Sequence, residues 1–242
     1  MAHRIFLAGA AGAIGQRLSL LLVRAGHQVA GTTRSEAKAE QLRALRVEPA
    51  LVDVFDADAL SRAVAAARPD IVIHQLTDLP RGLDPSRMAE ARVRNARVRD
   101  EGTRNLVSAA IAAGARRLVA QSIAWIYAPG PEPHIESDPL DVHAEGGLAV
   151  TVKGVVALEK WTLASPLAGV VLRYGRFYGP GTGVDAAPIP PALHVDAAAY
   201  AALLALDRGT TGIFNIADQN DHVATEKARK ELGWRADFRL QE

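Results

Sequence analysis

The sequence predicts an α/β chain built on a doubly wound, mostly parallel sheet. Three observations point there: short runs rich in β-branched residues recur along the chain, helical patterns separate them, and a glycine-rich turn joins the first run to the first helix. Strands that alternate with helices need crossover connections, and crossovers make neighbouring strands parallel.

The series begins with RIFLA (4–8), a helix over 13–25, HQVAGTT (27–33), a helix over 35–45, EPALVD (48–53) and a helix over 57–67. It continues with IVIHQ (71–75), one long helix near 86–113, RRLVAQS (116–122), a helix over 148–161 and GVVLRYG (169–175). Gly26 and Gly114 stand where helices should stop, and Pro69 precedes a strand. The Pro-rich stretches 128–141 and 179–192 read as loops that follow strand ends. In an open α/β sheet, ligands bind outside the carboxyl ends of the strands, so these loops are candidate walls of a site. A last helix is expected over 224–234, with Gly233 as its stop.

With 242 residues and 49% hydrophobic composition, one compact domain with a substantial core is expected. The 28 basic and 27 acidic residues nearly cancel, so the chain as a whole has no attraction for nucleic acid or an anionic membrane. The absence of cysteine excludes disulfides, thiolate zinc sites and a cysteine nucleophile. No secretory leader and no apolar run long enough to span a bilayer is read, and a cytoplasmic protein is the expectation.

The turn Gly9-Ala-Ala-Gly12-Ala13-Ile14-Gly15 lies between the first strand and the first helix. Glycines there allow a tight bend and let backbone N–H groups and the helix N-terminus approach a pyrophosphate, which predicts dinucleotide binding. No Gly-Lys-Ser/Thr follows, which disfavours a nucleotide triphosphatase loop. The second strand ends in Thr32-Thr33-Arg34-Ser35, where a carboxylate for a ribose 2′-hydroxyl is missing. Arg34 suits a 2′-phosphate, so NADP(H) is favoured and NAD(H) remains possible; the alternative is a solvated Arg at a helix start. Asp53, followed by Val54, stands where it can meet the adenine amino group or cap the next helix.

With these residues on the page, the chain resembles the short-chain dehydrogenase/reductase superfamily, in its extended and atypical epimerase/dehydratase branch. The resemblance spans nearly the whole chain and is carried by GAAGAIG, LVDVFD, DIVIHQLT (70–77), NARVRDEGTRNLVSAA (95–110), VAQSIAWIYAP (119–129), LRYGRFYGPGT (172–182) and HVDAAAYAALLAL (194–206), in the expected order. It implies a Rossmann core over 1–175 and a small substrate lobe over 176–242 in a single domain, with hydride chemistry at a nicotinamide.

The resemblance also implies a Ser at the end of the fifth strand, matched by Ser122, and a Tyr and Lys four residues apart on the next helix. That pair is incomplete. Counting back from Lys153, which would hold the nicotinamide ribose, gives Ala149; anchoring on Glu159 instead puts Thr151 at the Tyr position. Either another hydroxyl substitutes, with Tyr127, Tyr178 and Thr151 as candidates, or the proton comes from water or substrate, or the protein binds the dinucleotide without turnover in a regulatory or scaffold role. Each candidate has a plainer alternative: Ser122 as a turn former, Tyr127 and Tyr178 as packing aromatics, Lys153 as a solvated side chain.

Arg87, Arg92, Arg94, Arg97, Arg99 and Arg104 on the long helix interleave with acids and lack an aromatic platform, so they read as a solvated face or a homodimer helix rather than a nucleic-acid surface. His134, Glu136, Asp138, Asp141 and His143 lack a metal-ligand spacing and read as an acidic lid. No Gly-x-Ser-x-Gly elbow surrounds Ser122. Only Thr182 to Leu193 separates Gly181 from His194, where extended relatives grip a nucleotide-sugar, so a small carbonyl or hydroxy compound is the expected substrate.

Overall fold

The computed structural model describes residues 1–241. Its core alternates β1 (Arg4–Ala8), α1 (Ala13–Arg24), β2 (Gln28–Thr33), α2 (Glu36–Ala44), β3 (Glu48–Leu51), α3 (Ala57–Ala67) and β4 (Ile71–His74). There follow α4 (Met88–Arg97), α5 (Thr103–Ala112), β5 (Arg117–Ile123), α6 (Gly146–Leu163), β6 (Ala168–Tyr174), β7 (Arg176–Tyr178), β8 (Ala192–His194), α7 (Val195–Leu204) and β9 (Gly212–Ile216). The seven-stranded sheet runs β3-β2-β1-β4-β5-β6-β9 and is parallel at every pairing, while β7 and β8 form a separate two-stranded pair. Strand order reverses between β1 and β4, which opens a crevice at their carboxyl ends.

The pleat divides the core into two layers. Ile5 and Leu7 of β1 face a layer with Leu18 and Leu22 of α1 and the alanine-rich α7, while Phe6 and Ala8 face Leu60 and Val64 of α3 and Leu106 and Ala110 of α5. Burying each such leucine contributes about 2 kcal/mol, so α1 and α5 are held by these faces rather than by propensity. Asp56 accepts from the Ala59 N–H at 2.9 Å and caps α3.

Gly26, Gly114 and Gly233 all take positive φ at the ends of helical segments, as the stop signals predict. Three elements differ from expectation. β3 stops at Leu51 because the chain turns at Asp53, whose carboxylate accepts from the Phe55 N–H at 3.0 Å and whose carbonyl accepts from Asp56 N–H at 3.1 Å. The long helix is interrupted by a π turn over Val98–Gly102. The final helix is shorter than expected, running over 226–232 with a π turn at Ala228–Leu232, after which Trp234 Nε1 donates to the Ala197 carbonyl at 2.9 Å and pins the segment to α7.

Arg99 departs from the reading of the arginines: it is buried, 5% exposed, four residues on from the buried Asn95 and so on the same side of the helix. It forms no hydrogen bond among the described residues, and its nearest opposite charge is Glu159. No helix of the described residues is long and apolar enough to cross a membrane.

Candidate dinucleotide cleft and active site

At the β1/β4 crevice a cavity of about 310 Å³ is lined by the glycine turn, the Thr32–Ser35 segment with Lys38, Val52–Phe55, Gln75–Asp78 and Val98. The turn is tightly built. Gly9 has φ +92°, and a side chain there would come within 2.7 Å of the Gln75 backbone. Gly15 presses α1 against the turn so closely that a Cβ would lie 2.1 Å from the Gly9 carbonyl oxygen. The Gly9 N–H is held by Thr32 Oγ1 at 2.9 Å, which ties the turn to β2.

Gly12 stands at the N-cap of α1 with no side-chain cap and no acidic residue in the first turn. The first N–H groups of α1, near Ala13 and Ile14, therefore lack intrahelical partners and carry the positive end of the helix dipole. Ile14 is buried in the core; Gly9 and Gly12 line the cavity. Such a cradle suits a diphosphate, and the residues present fit a dinucleotide. From the far side, the loop after β7 leans in, with Gly181 about one atomic contact from Ala13.

At the adenosine end, Arg34 lies 3.7 Å from Asp53, both well exposed, with Lys38 on the same wall. Asp53 and Val54 do line the cavity. The helix-capping alternative for Asp53 falls instead to Asp56. Gln75, near the middle of the cleft, was passed over in the sequence. It is 6% exposed, and neither amide atom finds a partner of good geometry among the described residues. Two polar residues, His74 and Gln75, directly after the apolar Ile71-Val72-Ile73 run are the available signal.

The structure gives the four hydroxyl candidates other occupations. Ser122 is fully buried, and its Oγ donates to Glu159 Oε1 at 2.7 Å. Tyr127 donates to Asn215 Oδ1 at 2.6 Å and accepts from Arg173 Nη1 at 2.8 Å, which clips the 128–141 loop to the sheet; burial pushes its phenol pKa up, against the pull of Arg173. Tyr178 donates to Asp218 at 2.8 Å, and burial followed by that carboxylate raises its pKa. Thr151 donates to the Gly147 carbonyl one turn back at 3.2 Å. Lys153 is exposed on α6 and is not part of the cavity wall.

His134 and Asp138 pair at 3.1 Å, and Glu136 accepts from the Asn215 N–H at 2.9 Å, so these loop acids serve structure. Beyond β5 and β6, a smaller cavity opens beside Trp125 and Arg176, two residues the sequence did not single out.

Comparison with known proteins agrees with the cleft. A family model described as NAD(P)H-binding matches residues 9–185. The chain is similar to a 3-diazoavenalumate denitrifying reductase of Streptomyces sp, 42% identical over 92% of this chain and 78% of that protein. Among solved structures it resembles dTDP-glucose 4,6-dehydratase DesIV of Streptomyces venezuelae with NAD and TYD bound, at TM-score 0.79 and 17% identity over 98% of this chain and 93% of that one. It also resembles the enzyme WbmG of Bordetella bronchiseptica in complex with NAD and UDP, at TM-score 0.75 and 21% identity over 99% and 91%. A glycine cradle at the crevice of a parallel sheet, a family model that covers most of the chain and a reductase relative all meet in one place: the chain belongs to the NAD(P)H-binding family.

Proposed function

We propose that the protein is a reductase that uses NADPH, or less readily NADH, to deliver hydride to a small electron-poor substrate at the carboxyl ends of β4, β5 and β6. The observation that carries this reading is the glycine cradle and uncapped α1 N-terminus opening onto that crevice. When bound, the reduced nicotinamide supplies the hydride. Gly9, Gly12 and the first turn of α1 hold the diphosphate, Asp53 and Val54 flank the adenine, and Arg34 with Lys38 supports a 2′-phosphate.

The residues also bear on the acceptor. α6 contains no tyrosine, and its Lys153 faces solvent, so that helix offers no Tyr-Lys pair to protonate a nascent alkoxide. Reduction of a carbonyl then draws its proton from water. An acceptor that loses a leaving group with its bonding electrons needs no proton: at an aryl diazonium, hydride forms the C–H bond while the C–N electron pair departs with N2. The name of the 42% identical relative, which speaks of a diazo compound and of denitrification, favours this class.

A binding protein without turnover is the second reading, favoured by the same empty position on α6. We place the protein in the cytoplasm, and propose a homodimer through the helices after β4 and β5, where Val93 and Val156 are exposed.

The test is a fluorescence titration with NADPH and NADH, followed by single-turnover mixing of the NADPH complex with an aryl diazonium or an aromatic aldehyde. Deuterium carried from labelled NADPH into the product arene or alcohol supports the reductase. Tight cofactor binding with no label transfer to either acceptor supports the binding protein instead.

A further inference from the structure

Arg176 opens β7 at the carboxyl end of β6, and its guanidinium is oddly provided for. It lies 4.8 Å over the Trp125 ring and donates from Nη1 to the Pro190 carbonyl at 2.8 Å. It has no carboxylate within 4.0 Å among the described residues, although it is half-buried. Arg173 and Arg17 are compensated, by Glu159 and by Asp196, whereas Arg176 shares with Arg99 and Arg117 the lack of a carboxylate ion pair among the described residues. Burial pulls the Arg176 pKa down, the sign of a cation short of an anion.

This cation lines the cavity of about 190 Å³ beside Trp125, Tyr127 and the Pro190–Pro191 segment. The acids nearby are already engaged. Glu132 is held by His222 Nδ1 at 2.8 Å, and Asp138 by His134 and by the Ile135 N–H at 3.0 Å. The walls combine the faces of Trp125, Tyr127, Pro190 and Pro191 with His134, His222 and the His222-bound Glu132, and the Arg176 guanidinium makes one hydrogen bond, to the Pro190 carbonyl. The volume admits one ring with a short tail.

We propose that this cavity is the substrate's anchor, and that Arg176 binds the carboxylate of a small aromatic acid whose ring or tail lies along Trp125. The inference rests on the reductase reading above and names the substrate class for the same site. A planar carboxylate of one negative charge matches one guanidinium with free paired donors, which a phosphate dianion would outweigh. This cavity and the cofactor cleft both lie beyond carboxyl ends of the sheet, the cavity after β5 and β6 and the cleft at β1 and β4.

The test is calorimetric titration of the NADPH-loaded protein with cinnamate, cinnamamide and phenyl phosphate. Cinnamate is expected to bind about tenfold more tightly than its neutral amide, the scale of one charge-assisted bidentate contact. Arg176→Gln should erase that preference with NADPH binding unchanged, Arg176→Lys should restore part of it, and Trp125→Leu should weaken acid and amide alike. Equal binding of acid and amide, an unaltered preference in Arg176→Gln, tighter binding of phenyl phosphate, or binding of none of the three overturns the proposal. NADPH binding and label transfer without an acid preference defeats the anchor alone. An Arg176-dependent acid preference without hydride transfer to any acceptor defeats the reductase reading alone.

Discussion

Arg173 grips the Glu159 carboxylate with two parallel hydrogen bonds, Nε to Oε1 at 2.9 Å and Nη2 to Oε2 at 2.7 Å, and both side chains are buried. The pair joins β6 to α6, and Ser122 of β5 adds its hydroxyl to the same carboxylate. Burial costs a guanidinium its water, yet the Glu159 contacts win and hold the Arg173 pKa above its usual value.

Removing the charge on one side leaves the other buried and unpaired. Glu159→Gln is expected to lower unfolding stability by about 3 kcal/mol, read as a shift in urea midpoint at constant m. Ser122→Ala removes a single bond to a charged acceptor and should cost about 1 to 2 kcal/mol, with hydride transfer nearly unchanged. A large loss of turnover in a well-folded Ser122→Ala protein would return that hydroxyl to the reacting centre.

Arg99 supplies the contrast. Buried without a hydrogen bond among the described residues, it has its pKa pulled down to about 10 by burial, with Glu159 pushing back. Arg99→Met keeps the length and removes the desolvated charge, so stability should hold or rise by about 1 kcal/mol. A fall of several kcal/mol in the same urea experiment would show that the charge is compensated by something other than the described contacts.

His74 makes the fold sensitive to acid. Its Nδ1 accepts from the Leu76 N–H at 3.2 Å, so Nε2 carries the proton toward Thr103 Oγ1 at 3.0 Å, and the ring is wholly buried. Burial first, and Arg99 second, bring its pKa down to about 4 from 6.5. The unfolded chain then binds the proton more readily between those values. Stability is full above pH 6.5 and declines toward pH 4, by about 3 kcal/mol in all. Denaturation at stepped pH should show that slope, and His74→Gln should flatten it.

Arg34 governs the choice between cofactors. Its 3.7 Å contact with Asp53 is exposed and adds little to stability, so the guanidinium is free to turn to a phosphate. Arg34→Ala should weaken NADPH by about tenfold and NADH by much less, in parallel fluorescence titrations. Equal losses would assign Arg34 a role in holding the turn instead.

Much of the fold is legible in the sequence. The glycine turn announces itself because φ +92° at Gly9 and the 2.1 Å approach at Gly15 admit no side chain. The strands that fill the sheet are legible because their apolar runs have few other uses. Ser122 was not, since its occupation depends on Glu159, 37 residues on, and no local pattern encodes that pairing. The partners of Tyr127 are likewise not legible, since Asn215 and Arg173 are brought to it by β9 and β6. Arg99 reads as solvated when it is grouped with the other arginines of its helix, although it stands one turn on from Asn95 on the buried side.

The π turn makes the chain intolerant of a change in length. Between Val98 and Gly102 the backbone carries one residue more than a regular helix would need, and everything after it is phased to that surplus. Deleting a single residue here would turn α5 by about 100° about its axis. Leu106 and Ala110 would swing out from beneath β1 and β4, and Arg104 would swing toward them. Substitutions along this segment can drift, whereas its residue count is held by the core on the far side of the helix.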